Sequence, residues 1–96
     1  MWMFTTRGFY SVIEKGRLMQ IRARNRQDLE NLNLSNRIIE TPDADYMYRI
    51  VVSRKTWKKV AALLAQDIDY PNFKNACDPE RQPLYLEVWR LMRRLG

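Results

Sequence analysis

The stretch WMFTTRGFYSVIEKGRLMQIRAR, residues 2–24, decides the fold class of this chain. Its first half, Trp2 to Ile13, is rich in aromatic and β-branched residues, which fit a pleated, half-buried surface. Lys15-Gly16 follows, and Arg17 to Arg24 then alternates polar with apolar, so the segment reads as a β-hairpin closed by a short turn. With Lys15 and Gly16 as the two loop residues, Val12 faces Met19, Tyr10 faces Ile21 and Gly8 faces Ala23 on an apolar side. The same register places Ile13 with Leu18, Ser11 with Gln20, Phe9 with Arg22 and Arg7 with Arg24 on the opposite side. One face is core material; the other is basic and carries an aromatic ring.

The residues beyond the hairpin alternate between helix and strand signals. Asn25 is a helix cap for a short helix from Arg26, with Asp28 in the dipole-favoured first turn and Leu29 and Leu32 on its buried edge. Arg37 to Thr41 suggests a short strand, and Pro42-Asp43-Ala44-Asp45 is turn chemistry leading into the clearest strand, Tyr46 to Val52. Alternation there groups Tyr46, Tyr48, Ile50 and Val52 on one face, and Met47, Arg49 and Val51 on the other. Ser53 caps a long amphipathic helix over Arg54 to Asp69, on which Trp57, Val60, Ala61, Leu64 and Ile68 recur at helical spacing. Tyr70-Pro71 stops it, a turn or two follows over Asn72 to Cys77, and Pro83 opens a last helix. Along that helix Leu84, Val88, Leu91 and Leu95 line one side. No repeat, low-complexity tract or linker divides the chain, so residues 1–96 are expected to form one α+β domain. The expected sheet is antiparallel or mixed, three- to four-stranded, with a short, a long and a C-terminal helix on one face.

Composition removes several function classes. The longest apolar stretch, around Val60 to Ala65, is far short of the roughly twenty residues a membrane span needs. No signal-like apolar block opens the chain, which points to a cytoplasmic protein without a membrane partner. With one cysteine, Cys77, and no histidine, the chain has neither an internal disulfide nor a Cys/His zinc site nor a histidine-based triad. No motif calls for a cofactor.

The formal charge of +6 is unevenly placed. Residues 1–40 hold seven Lys/Arg against four Asp/Glu, 41–80 hold six against six, and 81–96 hold four against one. The excess therefore lies towards the two ends, a balance that favours acidic partners. The long helix also carries its charges against its dipole: Arg54, Lys55, Lys58 and Lys59 crowd its first turns, and Asp67 and Asp69 close it. Asp43 and Asp45 are the expected compensation at the lysine end, and arginines from the strands at the aspartate end.

Arg7, Phe9, Arg22 and Arg24, joined by Arg49 from the later strand, form the first candidate site. Arginine interleaved with aromatic residues on an open sheet can neutralise phosphates and stack bases, although the glycine-and-aromatic motif of the familiar RNA-binding sheet is missing. The alternative for these residues is a solvated strand face answered by the chain's own acids. Two Asp-x-Asp pairs, Asp43/Asp45 and Asp67/Asp69, have the minimum composition for a Mg²⁺ site, but turn aspartates ordinarily cap backbone amides, and no metal site is expected. A thiol at Cys77 with no base in reach reads as structural.

The motifs Gly8-Phe9-Tyr10-Ser11, Asp45-Tyr46-Met47-Tyr48-Arg49, Ile68-Asp69-Tyr70-Pro71-Asn72-Phe73-Lys74 and Tyr85 with Val88-Trp89 span nearly the whole chain. Together they resemble a group of small bacterial proteins of unassigned activity, found especially in actinobacterial and cyanobacterial genomes. That resemblance implies no mechanism, but it directs attention to the break between helices. There Asp69, Tyr70, Asn72 and Lys74 are a candidate pocket edge, with Tyr46 and Tyr48 beside Arg49 as the opposite wall. Three functions follow as expectations: a non-enzymatic binding module for nucleic acid or an acidic protein, a homodimeric or interaction domain, and a metal-dependent enzyme built on the aspartates.

Overall fold

A computed structural model describes residues 1–96 and is α+β. Five strands, β1 (Trp2–Phe4), β2 (Phe9–Lys15), β3 (Leu18–Ala23), β4 (Ile39–Glu40) and β5 (Tyr48–Ser53), form one open antiparallel sheet in the order β1-β2-β3-β5-β4. The helices are α1 (Arg26–Glu30), α2 (Arg54–Gln66), α3 (Phe73–Ala76) and α4 (Gln82–Met92), and a 3₁₀ turn, Arg93–Leu95, closes α4.

The extra strand comes from the N-terminal segment, which folds back on itself instead of running straight. Thr5 causes the break: its Oγ1 donates to the Gly8 carbonyl (2.8 Å) and accepts from the backbone N–H groups of Arg7 (3.2 Å) and Gly8 (3.1 Å). Hydroxyl bonding of this kind offers the backbone a turn in place of a ladder.

The hairpin register also differs from the expected one. Lys15 pairs with Leu18, so the loop residues are Gly16 and Arg17, and Ser11 lies opposite Arg22, with Val12 opposite Ile21. Gly16 takes φ 65° at the first central position, where a tight hairpin turn calls for glycine. The slip is by two residues, so each side chain keeps its face even though each partner changes.

One face of the sheet is the core. Tyr10, Val12, Met19, Ile21, Ala23, Ile50 and Val52 project from it to meet Leu29 and Leu32 after α1's cap and Trp57, Val60 and Leu64 of α2. Burying each large apolar side chain contributes about 1.5–3 kcal/mol relative to exposure. Both helices are capped as their sequences require: Asn25 Oδ1 accepts from the Asp28 N–H (2.9 Å), and Ser53 Oγ from the Thr56 N–H (3.1 Å). Ile68 lies past the end of α2 and is exposed.

A buried polar latch ties α4 to this core. Asp28, 2% exposed, accepts from the Phe9 backbone N–H (3.0 Å) and pairs with Arg81, while its carbonyl accepts from the Tyr10 hydroxyl (2.7 Å). Tyr85 accepts from Arg81 and donates to the Thr5 carbonyl, both at 3.3 Å. Within α4 only Tyr85 is buried. Leu84, Trp89, Leu91 and Met92 are exposed, as is Leu95 in the closing turn.

Candidate functional site

The core helices α1 and α2 pack on the first face, and the second face meets a helix at its β1 edge, where Phe4 touches Tyr85 of α4. Alternation brings Trp2 and Phe4 of β1, Phe9 and Ser11 of β2, Gln20 and Arg22 of β3, and Arg49 of β5 to this side. Arg22 and Arg49 lie directly opposite each other across β3 and β5. Like charges so placed repel unless something between them carries the opposite sign.

Nothing in the chain does. The ion pairs of the protein are Arg7–Asp67, Arg26–Glu30, Arg54–Glu14 and Arg81–Asp28. Arg22 instead donates to Ser11 Oγ (2.7 Å), Arg24 to the Asp45 carbonyl (3.3 Å), and Arg49 to Gln20 Oε1 and the Tyr46 carbonyl, both at 3.1 Å. These acceptors are all neutral. Arg49 Nε is shielded from solvent and has no protein acceptor.

Tyr46 organises the cluster. Two residues short of β5, it leaves the alternation expected for it and turns to the basic side. There the Arg22 and Arg24 guanidinium carbons lie 4.8 and 5.1 Å from its ring centroid. Both distances are within cation–π range. Tyr46 lies between the turn, with Asp43 at φ 69°, and the start of β5 at Tyr48, outside the strand in which alternation applies. Its assignment to the face of Tyr48, Ile50 and Val52 is therefore corrected.

From Tyr46 a file of aromatic rings runs across the sheet. Tyr46 meets Phe9 at 6.2 Å between centroids, Phe9 stacks on Phe4 at 4.7 Å, Phe4 meets Tyr85 edge-on at 5.5 Å, and Tyr85 stacks on Phe73 at 5.4 Å. Tyr70 ends the file at 5.9 Å from Phe73. Trp2, 69% exposed, stands edge-on to Phe9 at 6.4 Å. Trp2 and Phe4 were not in the expected site; their place in a strand separate from β2 was hidden by reading residues 2–13 as one strand.

Of the five residues grouped from the sequence, Phe9, Arg22, Arg24 and Arg49 come together and Arg7 does not. Arg7 sits in the β1–β2 turn, donates to both carboxylate oxygens of Asp67 (2.6 and 3.1 Å) and to the Asn31 carbonyl (3.1 Å), and points away from the cluster. Its pKa is raised, chiefly by the hydrogen bond to Asp67. The expected pocket is divided. Asn72 and Lys74 line a cavity of about 380 Å³ with Phe73, Tyr85, Leu86 and Trp89, whereas Tyr70 lines a second, also about 380 Å³, between β1 and α2. Asp69 is exposed, and neither cavity includes it, Tyr46 or Tyr48.

Of the two aspartate pairs, the Asp67 carboxylate is taken up by an ion pair, while the Asp43, Asp45 and Asp69 side chains are exposed. Both Asp67 oxygens face Arg7, the Asp45 carbonyl serves Arg24, and no three side chains among Cys, Asp and Glu converge. Glu14 of β2, through Arg54, is the acid that meets the N-terminal end of α2, in place of Asp43 and Asp45. Cys77 is buried, its thiol donates to the Phe73 carbonyl (3.3 Å), and burial pushes its pKa up.

No helix is long and apolar enough to cross a membrane. Comparisons with protein-family models, with characterised proteins and with solved structures find no match.

Proposed function

We propose that the protein is a binding module for single-stranded nucleic acid and that the second sheet face is its contact surface. The observation that carries this reading is the Tyr46 ring, set against Phe9 and held within cation–π reach of Arg22 and Arg24, with no carboxylate on either arginine or on Arg49. Three positive charges without an internal acid supply phosphate contacts. The rings of Trp2 and Phe9 supply stacking for unpaired bases, which distinguishes a nucleic acid from an acidic peptide as the better-matched partner. A duplex hides its base faces, so the strand is single. The contacts are non-covalent and the role is non-enzymatic.

Fluorescence anisotropy with labelled single-stranded RNA and DNA of mixed sequence tests the reading. Binding at low salt should weaken as salt rises, with a log–log slope of about −2 for three phosphate contacts on a single strand. Arg22→Ala, Arg24→Ala and Arg49→Ala should each reduce that slope. Absence of affinity for either polymer at about 50 mM salt, or affinity indifferent to all three substitutions, would overturn it.

A further inference from the structure

Across α4 and its closing 3₁₀ turn, Leu84, Val88, Leu91 and Leu95 recur at intervals of four, three and four residues. That is the spacing of a coiled-coil seam, whose knobs need a facing helix. The seam is turned away from the rest of the protein. Leu84, Leu91 and Leu95 are 61%, 55% and 85% exposed, and Val88 is half-buried. α4 uses a different edge, that of Tyr85, to reach the sheet at Phe4 and α3 at Phe73. A row of exposed leucines on one helix is an interaction signature in a way that single scattered leucines are not.

Charge along the seam selects the occupant. In heptad terms Leu84 and Leu91 are d positions, Val88 is an a position and Glu87 falls at g, and the 3₁₀ turn, at about 120° per residue, carries Leu95 close to a and Arg94 close to g. In a two-fold antiparallel pair g faces g, so Glu87 of one copy meets Arg94 of the other, and the symmetry makes the contact twice. The same alignment sets Leu84 against Leu95 and Val88 against Leu91 of the second copy. A parallel pair would place Glu87 opposite Met92 and leave both charges unanswered. The antiparallel arrangement also opposes the two helix dipoles favourably.

We infer that α4 pairs with α4 of a second copy of this chain, antiparallel and about a two-fold axis, through the Leu84–Val88–Leu91–Leu95 seam. The α-helical part of the seam, Leu84 to Leu91, is about 10.5 Å long at the helical rise, so the dimer is a weak one that forms with rising concentration. It is independent of the nucleic-acid reading, since the seam and the basic sheet face share no residue.

Sedimentation velocity on the full chain, without nucleic acid, from about 10 µM to about 1 mM tests the inference, a range that covers weak association. The expected result is a rise from the mass of one chain to that of two. Leu91→Glu, at an exposed position, should hold the protein monomeric with an unchanged thermal melt. Glu87→Arg and Arg94→Glu should each weaken dimerisation by about fivefold, and the double exchange should restore it to within about twofold, as coupled neighbours require. A wild-type chain monomeric throughout the range overturns the inference. A dimer that survives Leu91→Glu, or a double exchange that fails to restore pairing, overturns it as well.

Discussion

Arg7 grips Asp67 at two points, Nε to Oδ2 at 2.6 Å and Nη2 to Oδ1 at 3.1 Å, joining the β1–β2 turn to the residue that caps the C-terminus of α2. The same guanidinium reaches the Asn31 carbonyl beyond α1, and Asn31 Nδ2 donates back to the Arg7 carbonyl (2.8 Å). One side chain thus pins two helices to a turn. It also resolves half of α2's reversed polarity, by placing a cation where the helix ends in an aspartate. Arg7 is by this account a fastening, and the second sheet face is left to Arg22, Arg24 and Arg49.

Arg7→Ala is therefore expected to lower stability while leaving oligonucleotide affinity unchanged. The two side chains are only 22% and 26% exposed, and the pairing is bidentate, so the loss should be about 1–2 kcal/mol, above the usual value for a surface pair. Urea titration reads the first effect and anisotropy the second. An affinity loss matching that of Arg22→Ala would return Arg7 to the binding surface.

Gly8 permits the close approach of α1 to β2. A Cβ there would run into the Asp28 side chain, whose Oδ2 is held by the Phe9 N–H and whose Oδ1 is held by Arg81. The carboxylate cannot retreat without giving up those partners. Gly8→Ala should cost about 1–3 kcal/mol, the range for overpacking a closed site, measured by the shift of the urea midpoint at constant slope.

The sequence made the α+β class and the membership of both hairpin faces readable, because a period of two survives a two-residue slip of register. The turn itself was less legible: Lys15-Gly16 and Gly16-Arg17 both contain the required glycine, and only the backbone shows which pair closes the loop. Thr5 was harder still, since its role is a hydroxyl bonding pattern with no periodicity to betray it. For the site, alternation correctly placed Phe9, Arg22 and Arg49 together but failed at Arg7 and Tyr46, both outside the strands where alternation applies. The apolar row on α4 was plain in sequence, yet its exposure was not, because spacing reports that a helix has an apolar face without saying what meets it.

Alkaline pH should weaken the fold through the latch around Asp28. Burial pushes the Tyr10 hydroxyl well above the ordinary tyrosine value, with the Asp28 charge adding to the shift and Arg81 and Arg7 opposing it; burial raises Tyr85 too. In the unfolded chain both phenols ionise near pH 10, while in the folded protein they stay protonated, so the native state binds more protons. Stability is then fully present below about pH 10 and falls as pH rises beyond it. Tyr10→Phe loses the hydroxyl's bond to the Asp28 carbonyl and should be about 1 kcal/mol less stable at neutral pH. Urea midpoints measured between neutral and strongly alkaline pH should show the gap between the two proteins closing; a constant gap would contradict the assignment.

Cys77 should resist alkylation in the native state. Its thiol is buried, raised in pKa by that burial and bonded to the Phe73 carbonyl, so the nucleophilic thiolate is scarce and shielded at neutral pH. Reaction with iodoacetamide, followed by mass spectrometry, should be slow in buffer and rapid in concentrated urea. Equal rates in the two conditions would mean that the segment joining α3 to α4 opens readily.

Charge and stacking make separable contributions on the second face, and the cluster around Tyr46 allows them to be taken apart. A phosphate contact releases counterions, so losing Arg22 should make binding less salt-dependent and weaken it most at low salt. A ring acts through its face and through the arginines it orders. Tyr46→Leu keeps the formal charge and the Arg49 bond to the residue 46 carbonyl, while it removes the ring beside Phe9 and the cation–π partner of Arg22 and Arg24. Its expected effect, through the support that the ring gives to Phe9 as a stacking surface, is an affinity loss of up to about 1–3 kcal/mol, the magnitude of one base–aromatic contact, with the salt slope nearly unchanged. Trp2→Ala should behave the same way, since Trp2 is largely exposed and its loss leaves the arginines in place. If Tyr46→Leu lowered the salt slope as much as Arg22→Ala does, the ring would serve the guanidiniums alone and would contribute nothing to the stacking surface through its contact with Phe9.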